Sequence, residues 1–400
     1  MTWQKRRVSE LAFLFNGFPF DAATFSSTEQ MPLVRIRDLL ADEFETYIPT
    51  ESAPEGVLVR DDDVLVGMDG DFNVKLWHRG TAALNQRLCA LRSRPGCDPR
   101  FLAYALPRQL KVINDLTYAT TVKHLSSWQV AHITFWAPDV HEQRAIADFL
   151  DEQTSRIDTL INKQTRLIST LRERQGAFIA ATTLRGTDRT ARLVDSGHPW
   201  LGLVPEHWSI DPLGVHFVER KEQVNDRDYA ALSVTKGGVV AQLATAAKTD
   251  NNDARKLVRA GDFVINSRSD RKGSAGVSTM DGSTSVVYIV LQPRPSMHGA
   301  YIHHLLRSIP FQEEFYRWGN GIVADLWSTR YSAMRRIALP VPPVSEQRQI
   351  AGFLNDRLRV MNETIATAER HIMLAQERRA ALITAAVTGQ IDVGTTGRAA

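Results

Sequence analysis

The sequence predicts an α+β protein in which two similar α/β blocks are separated by two long helices. The helices are expected to pack on each other as an antiparallel coiled coil within one chain, which gives a pseudo-two-fold symmetric arrangement. Two observations lead to this prediction. A long helical segment occurs twice, 204 positions apart, and each copy follows a block of about 140 residues that is rich in short β-type runs. An internal repeat of this kind is stronger evidence for the architecture than any single motif.

The repeated segment is long and closely matched. Residues 138–181 overlay residues 342–385 without gaps, with 17 of 44 positions identical and nine of those in the first 13. Shared amphipathic composition would match the apolar positions, but it would not match Glu-Gln-Arg at 142–144 with Glu-Gln-Arg at 346–348. A proline before each copy and a glutamate in the first turn mark a helix N-terminus. We interpret the repeat as a duplication.

Apolar residues recur in both copies at alternating steps of three and four, which is typical of a coiled coil. Polar residues such as Gln164 and Gln175 interrupt the seam and disfavour a homodimer of either helix. We therefore expect the two copies to pack on each other, with the register set partly by these glutamines. A helix that lies on a globular core is the alternative. The seam residues are Leu150, Thr154, Ile157, Ile161, Gln164, Ile168, Leu171, Gln175 and Phe178, and then Leu354, Leu358, Met361, Ile365, Ala368, Ile372, Ala375 and Leu382.

The blocks between the helices also echo each other. The stretch "LVRDDDVLV" at 58–66 parallels "LVRAGDFVI" at 257–265, and each block ends in a β-type run that leads into a proline and a helix. Gly, Thr, Asp and Pro between the first helix and the second block are typical of a linker. The predicted order is a block at 1–137, a helix at 138–183, a linker at 184–201, a block at 202–341, a helix at 342–390 and a tail at 391–400.

Composition sets outer limits on the class of protein. A chain of 400 residues is too long for one core, and 43% hydrophobic with 23% charged residues is typical of globular domains. The net charge is only +3, so a nucleic-acid surface has to come from local clustering of basic residues. Cys89 and Cys97 provide neither a disulfide framework nor a metal set, and we expect a cytoplasmic protein. No apolar run reaches the length of a membrane span, and Asn16 and Pro19 interrupt the apolar stretch that might suggest a signal peptide.

The order of these segments resembles the specificity subunit of type I restriction-modification systems. The resemblance covers essentially the whole chain, from the "EQRAIADFL" helix through "GLVPEHW" and the "EQRQIAGFL" helix to "AAVTGQIDV". The stretches at 66–77 and 84–92 are similar to that family's target-recognition domains. The first block departs from the pattern because no Gly-x-Val-Pro precedes Trp3, which we take as the counterpart of Trp208. We interpret this as a chain that starts inside the repeat.

The resemblance implies a DNA-reading subunit that is not an enzyme and has no catalytic or metal-binding residues of its own. Each block would be a target-recognition domain for one half of a split, asymmetric site in double-stranded DNA. The helices would dock two adenine-N6 methyltransferase subunits, and motor-nuclease subunits would join for cleavage. AdoMet, ATP and Mg²⁺ would belong to those partners, and no cofactor to this chain. The sequence agrees in having no Gly-x-x-x-x-Gly-Lys-Ser/Thr phosphate loop.

Two other classes of protein stay open at this point. A stand-alone DNA-binding nuclease would need a carboxylate cluster to hold its metal, and no convincing set is spaced along the β-type runs. A coiled-coil scaffold protein would carry the same helices and blocks but would show no sequence-selective DNA binding at all.

Candidate DNA contacts follow from the chemistry of base edges. Arginine reads guanine and asparagine or glutamine reads adenine, whereas lysine and backbone amides mostly hold phosphates. The competing interpretation of each residue is an ordinary solvated charge or a strand cap. The candidates in the first block are Asn73, Lys75, Arg79, Asn85, Gln86 and Arg87, followed by Arg35, Arg37, Lys123 and His124. Those in the second block are Lys236, Asn266, Arg268, Arg271, Lys272, Ser274, Trp327, Arg330 and Tyr331.

A second candidate site lies at the start of each helix. These positions match between the copies while the blocks differ, as two equivalent partners would require. We expect them to anchor the methyltransferase subunits or the neighbouring globular block. The residues are Glu142, Gln143, Arg144 and Phe149, with their counterparts Glu346, Gln347, Arg348 and Phe353.

Overall fold

The structure, a computed structural model, describes residues 3–28, 30–116, 123–243, 254–321 and 327–393. Most of the predicted tail at 391–400 lies outside these ranges. The chain divides into two compact units, Met1–Gln164 with Arg370–Ala400 and Thr165–Glu369. Within the described ranges we find no helix with the length and apolarity that crossing a membrane requires.

The first block is built on two four-stranded sheets. One has the order β2-β9-β6-β7 and is antiparallel throughout, and the other has the order β4-β3-β8-β5 with a parallel β3–β8 pair. The elements in chain order are β1 (Gln4–Arg7), α1 (Val8–Leu11), β2 (Ala12–Asn16), β3 (Met31–Val34), β4 (Tyr47–Ile48), β5 (Leu58–Val59), β6 (Val64–Gly67), β7 (Val74–Leu76), β8 (Ala82–Leu84), β9 (Leu88–Ser93), α2 (Pro99–Leu116), α3 (Ser127–His132), β10 (Thr134–Ala137) and the long helix α4 (Val140–Arg185).

Strand β6 lies at the centre of this block because both of its faces are apolar. Val64 and Val66 point into a core that includes Phe101 of α2, whereas Leu65 points to the opposite side and packs with Trp77. Successive side chains of a strand point to opposite faces, so a continuous apolar run is what a strand buried on both sides requires. The strand positions the residues that follow it, from Met68 onward.

The second block repeats the first of these sheets with the order β14-β22-β19-β20, and beside it has a three-stranded sheet of order β15-β18-β21 and the pair β16-β17. Its elements in chain order are β11 (Leu193–Asp195), β12 (Leu203–Pro205), β13 (Ser209–Pro212), α5 (Leu213–His216), β14 (Phe217–Glu219), β15 (Gln223–Val224), β16 (Leu232–Thr235), β17 (Gly238–Ala241), β18 (Arg255–Val258), β19 (Phe263–Asn266), β20 (Ala275–Val277), β21 (Gly282–Thr284), β22 (Tyr288–Pro293), α6 (Gly299–Leu305), α7 (Ile309–Arg317), α8 (Tyr331–Met334), β23 (Ala338–Val341) and the long helix α9 (Val344–Val387). Short 3₁₀ turns occur at Ala22–Thr24, Ile36–Asp38, Thr50–Ser52, Glu55–Val57 and Ser269–Arg271.

The segment expected to be a linker, residues 184–201, has structure of its own. Strand β11 lies within it and pairs antiparallel with β12. Leu184 and Leu201 are buried in the core of the second block. This segment is therefore packed against the second block and is not an extended connection.

Equivalent strands place equivalent side chains in the two blocks. Asp63 precedes β6 and Asp262 precedes β19, and both carboxylates are buried. Arg92 donates to Asp63 at 2.7 and 2.9 Å, and Arg220 donates to Asp262 at 2.7 and 3.1 Å. A buried carboxylate needs such a partner, because an unpaired buried charge is strongly destabilising. The echo between residues 58–66 and 257–265 thus corresponds to the same structural feature in both blocks.

The two long helices run antiparallel within each unit, which confirms the predicted fold class. In the second unit, Arg172 of α4 forms an ion pair with Glu369 of α9 at 2.8 Å, and the rings of Phe178 and Phe353 lie 5.6 Å apart. Residue numbers therefore rise along one helix as they fall along the other. In the first unit, Arg379 of α9 lies 3.0 Å from Asp158 of α4.

Each unit also contains one tryptophan that contacts the start of one long helix and the end of the other. Trp3 donates its indole N–H to Glu142 at 3.3 Å, and Trp208 donates to Glu346 at 3.1 Å. A Cβ on Gly389 would lie 3.1 Å from the ring of Trp3, and a Cβ on Gly186 would lie 3.1 Å from the ring of Trp208. Both glycines have a left-handed φ, +71° and +74°, as is common just after a helix. These contacts make Trp3 and Trp208 structural counterparts.

Candidate nucleic-acid interface

An open cleft of about 770 Å³ lies in the second block. It is formed where the end of β19, the β21–β22 turn and the start of α8 meet. Among the described residues that line it, the basic ones are Lys221, Lys256, Arg268, Arg330 and Arg335, and the acidic one is Glu219. A concave surface with an excess of basic side chains attracts polyanions such as the phosphate backbone of DNA.

Local structure fixes the orientation of the side chains at this cleft. Asn266 ends β19, and its buried Oδ1 accepts a hydrogen bond from the backbone N–H of Arg268 at 3.0 Å. The side chain of Arg268 is 43% exposed and lies 3.2 Å from Asp270. Tyr331 donates its hydroxyl to the carbonyl of Phe217 at 2.8 Å, which attaches the start of α8 to β14. The cleft therefore stands on fixed supports, with its guanidinium groups open to solvent.

The structure brings some of the predicted residues of the second block together and separates others. Arg268, Arg330 and Tyr331 line the cleft. The side chains of Lys236, Arg271, Lys272 and Trp327 are exposed but do not line it. Asn266 and Ser274 are 4% and 8% exposed, so their side chains lie beneath the surface on which the other predicted residues are presented. The apolar strand that ends at residue 266 draws Asn266 into the interior of the block.

In the first block, the corresponding surface centres on Asp69. This carboxylate accepts from Nη1 of Arg87 at 2.5 Å and from Nδ1 of His124 at 2.7 Å. Burial by itself would raise the pKa of Asp69, but the hydrogen bonds from His124 and Arg87 outweigh burial and hold the pKa below its usual value. Asp69 therefore remains ionised at neutral pH. The Asp69 carboxylate thus holds the side chains of Arg87 and His124, two of the predicted DNA-contacting residues, in place.

The other predicted residues of the first block fall into two groups. The first group is already engaged within the block: Arg35 pairs with Asp38 at 2.8 Å, Arg37 lies 3.6 Å from Asp38, Arg79 stacks 3.7 Å over the ring of Phe44, and Lys123 donates to the Asn114 side chain at 2.8 Å. Their ordinary role is to hold loops in place. The second group comprises Asn73 and Gln86, which are exposed, and Lys75 and Asn85, which are half-buried.

At the start of each long helix, the matched positions divide into buried and exposed residues. Gln143 is 2% exposed and Gln347 is 0% exposed, and both hydrogen-bond to the neighbouring globular block, which is one of the two roles expected of these positions. Glu142 and Glu346 accept from the tryptophans described above. Arg144 and Arg348 are exposed, Phe149 is half-buried and Phe353 is exposed.

Sequence reasoning missed Asp69 and four residues of the cleft, Lys221, Lys256, Arg335 and Glu219. Lys221, Lys256 and Arg335 each stand beside one arginine in the sequence, but they lie far apart along the chain and come together with Glu219 only because β14, β18 and α8 meet in the fold. Asp69 lies inside the stretch 66–77, which the resemblance had singled out. The sequence signal that could have identified Asp69 is that it is an acidic residue within a stretch predicted to bind DNA.

Comparison with known proteins gives the class of this fold. A family model described as "Type I restriction modification DNA specificity domain" matches residues 1–169. A chain from a study of complex assembly and conformational transition of the type I R-M system aligns with a TM-score of 0.70 and 14% identity, over 97% of this chain and 98% of that one. The HsdS subunit from Thermoanaerobacter tengcongensis aligns with a TM-score of 0.50 and 16% identity, over 97% of each chain. At these identities the structures establish the fold alone.

A curated relative makes the assignment more specific. The specificity subunit of type I restriction enzyme EcoBI from Escherichia coli is 35% identical over 215 residues. The match spans 52% of this chain and 45% of that protein, which is less than half of the relative's length. The predicted resemblance to type I restriction-modification specificity subunits is confirmed by the family model, this relative and the shared fold.

Proposed function

We propose that this chain is the DNA sequence-recognition subunit of a type I restriction-modification complex. In this proposal each block reads one half of a split, asymmetric site in double-stranded DNA. The observation that carries the proposal is the basic cleft of the second block, which is lined by the half-buried Arg268 and the exposed Arg330. A concave basic surface that is held by its own hydrogen bonds suits readout of base edges by arginine.

We keep the predicted boundaries as part of the proposal. Residues 1–137 and 202–341 are the two target-recognition domains, and the helices at 138–183 and 342–390 support them. The equivalent order of strands in the two blocks supports this division. The proposed DNA contacts are the predicted residues that are exposed, half-buried or line the cleft: Arg35, Arg37, Asn73, Lys75, Arg79, Asn85, Gln86, Arg87, Lys123, His124, Lys236, Arg268, Arg271, Lys272, Trp327, Arg330 and Tyr331.

The proposed protein partners are two adenine-N6 methyltransferase subunits and the motor-nuclease subunits. Exposed residues that match between the starts of the two helices support docking of two equivalent partners. Arg144 and Arg348 occupy the same helical position, and each is accompanied by a phenylalanine five residues later. The chain itself carries out no catalysis in this proposal, and AdoMet, ATP and Mg²⁺ are bound by its partners in the cytoplasm.

Reconstitution with the cognate methyltransferase tests the proposal. We expect the complex to methylate adenine at N6 on both strands of one split motif, as mapped by methylation sequencing of host or library DNA. The chain alone, incubated with DNA and Mg²⁺, should cleave nothing. Cleavage by the isolated chain would favour a nuclease, and DNA binding without any preferred motif would favour a scaffold.

A further inference from the structure

The two blocks share a corner in which three segments meet at the end of the central strand. In the first block, the backbone of Asp69, just after β6, bridges to His124. In the second block, the backbone of Arg268, just after β19, bridges to Ser328 in the same antiparallel manner. Positions 69 and 268 are therefore structurally equivalent, as are positions 124 and 328.

The third segment of the corner is the turn between the last two strands of the block. In the first block the carbonyl of Arg87 accepts from the N–H of Met68, one residue before Asp69. In the second block the carbonyl of Val287 accepts from the hydroxyl of Ser267, one residue before Arg268. Both turns also close with the same backbone hydrogen bond, from residue 88 to 85 and from residue 288 to 285. Position 87 is thus equivalent to position 287.

The side chains at this corner differ between the blocks in an informative way. The first block has Asp69 after the strand and Arg87 in the turn, whereas the second has Arg268 after the strand and Val287 in the turn. Each corner therefore holds one guanidinium group. In the first block it comes from the turn, and in the second block it comes from the segment after the central strand. In the second block, Arg268, Val287 and Ser328 all line the basic cleft, so the corner faces the surface that is proposed to bind DNA.

The contacts of Asp69 fix how Arg87 is presented. The Asp69 side chain is 14% exposed and the Arg87 side chain is 56% exposed, so the carboxylate lies beneath a guanidinium that reaches solvent. A guanidinium has five N–H donors in a rigid plane, and the hydrogen bond from Arg87 to Asp69 uses one nitrogen, Nη1. Donors remain for the N7 and O6 acceptors of guanine, which arginine reads in pairs. His124, held by the other carboxylate oxygen, flanks the same position.

We propose that this shared corner determines base specificity in each half-site. In the first block Asp69 is a positioning residue that holds Arg87 in the orientation in which it reads guanine. In the second block Arg268 occupies the position of Asp69 and contacts the base itself. The inference rests on the proposed function, because it names the residues by which each block discriminates between base pairs.

The test uses the complete complex with its methyltransferase and DNA libraries in which one half-site at a time is randomised. Asp69→Ala should lower discrimination at one base pair of the first half-site by roughly 10-fold and leave the second half-site unchanged. Asp69→Asn keeps an acceptor without the charge and should restore part of the discrimination. Arg268→Ala should relax one base pair of the second half-site alone. Asp71→Asn, which changes the charge of an exposed neighbour, is the matched control and should alter neither half.

A positioning role predicts that the two first-block substitutions are not additive. Arg87→Ala should relax the same base pair as Asp69→Ala, and the double variant should discriminate no worse than Arg87→Ala alone. Additive losses, or an Asp69→Ala variant that weakens binding to all sequences alike, would make Asp69 merely structural and overturn the inference. The proposed function would survive that result. It would fail if the unaltered complex selected no split motif at all.

Discussion

Two histidines, one half-buried and one buried, distinguish the second block from the first. His303 and His304 lie on α6, where the first block has Ala103 and Tyr104 at the equivalent positions of α2. Burial, with Arg307 and His304 adding to it, lowers the pKa of His303 to about 4. Burial also lowers the pKa of His304, whose ring donates to Asn355 at 2.8 Å. Both rings are therefore neutral in the folded protein at neutral pH.

This pair of histidines should make the folding stability of the second unit decrease at acidic pH. The unfolded chain binds a proton at His303 near pH 6.5, but the folded protein does so only near pH 4. The unfolded state therefore binds more protons between these values, and stability falls as pH drops through this window. Between pH 7 and pH 4.5, the His303→Gln variant should lose less free energy of unfolding than the unaltered protein. The difference between the two losses should be at most about 3 kcal/mol.

Denaturant titrations at the two pH values measure this difference. His141→Gln, the same substitution at an exposed position at the start of α4, is the control. Equal losses of stability in the His303 variant and the unaltered protein would contradict the assignment of His303 as a half-buried neutral ring.

At the scale of the secondary-structure element, one glutamine fastens the first turn of each long helix to its block. The Oε1 of Gln143 accepts from the N–H of Asp98 at 2.9 Å, and its Nε2 donates to the carbonyl of Pro138 at 2.9 Å. The Oε1 of Gln347 accepts from the N–H of His298 at 2.7 Å, and its Nε2 donates to the carbonyl of Pro342 at 2.9 Å. The same clamp thus occurs twice, and it accounts for the glutamine in the repeated Glu-Gln-Arg.

Removing either clamp should destabilise its unit. Gln347→Ala leaves a buried N–H and buried carbonyls without partners, and each such group costs about 1–3 kcal/mol. We expect a loss of roughly 2–4 kcal/mol for Gln143→Ala and for Gln347→Ala in equilibrium unfolding. Gln349→Ala, two residues further along α9 at an exposed position, is the control and should change the stability little. A Gln347→Ala protein as stable as the control would contradict the clamp.

The arginine next to each glutamine should behave in the opposite way. Arg144 and Arg348 are exposed, so reversing both charges should leave unfolding unchanged. If they bind the methyltransferase subunits, Arg144→Glu with Arg348→Glu should abolish co-purification of those subunits. Arg189→Glu, an exposed charge reversal outside the helices, is the control and should leave assembly intact. Unchanged assembly in the double variant would exclude these residues from the docking face.

At the scale of the whole molecule, the two blocks combine a common strand order with different surfaces. The equivalent positions 69 and 268 carry side chains of opposite charge, although the four-stranded sheets that contain β6 and β19 have the same topology. Each block should therefore read its own half of the DNA site. The paired helices support both blocks through equivalent contacts, with Trp3 in one unit and Trp208 in the other.

Exchanging one block should consequently change one half of the motif. We expect residues 1–137, replaced by the corresponding block of a relative, to alter one half of the methylated sequence and leave the other half as it was. Methylation sequencing of DNA from cells that express the chimera measures both halves at once. The reciprocal exchange of residues 202–341 is the matched control and should alter the opposite half. A chimera in which both halves change would contradict independent reading.

The sequence by itself determined the duplication, the long helices, their seam and the resemblance to a known family. These features can be recognised from sequence identity between two segments at a fixed offset and from apolar residues that recur every three or four positions. Helix periodicity is a local property, so Leu150 and Leu354 could be assigned to the seam without knowing what they contact, and both are buried. The sequence similarity between residues 58–66 and residues 257–265 likewise indicated that the same two strands follow each other in both blocks.

Only the tertiary structure decided what each residue of the candidate sites does. Adjacent residues of one helical turn point in different directions, so Gln347 is buried while Arg348 faces solvent, and the repeat matched both equally. The partner of Gln347 is the N–H of residue 298, and the partners of Asp69 are residues 87 and 124. Hydrogen bonds depend on distance in space, and a fold brings together groups that are far apart along the chain. For that reason the sequence named Arg87 as a candidate but could not name the carboxylate that holds it.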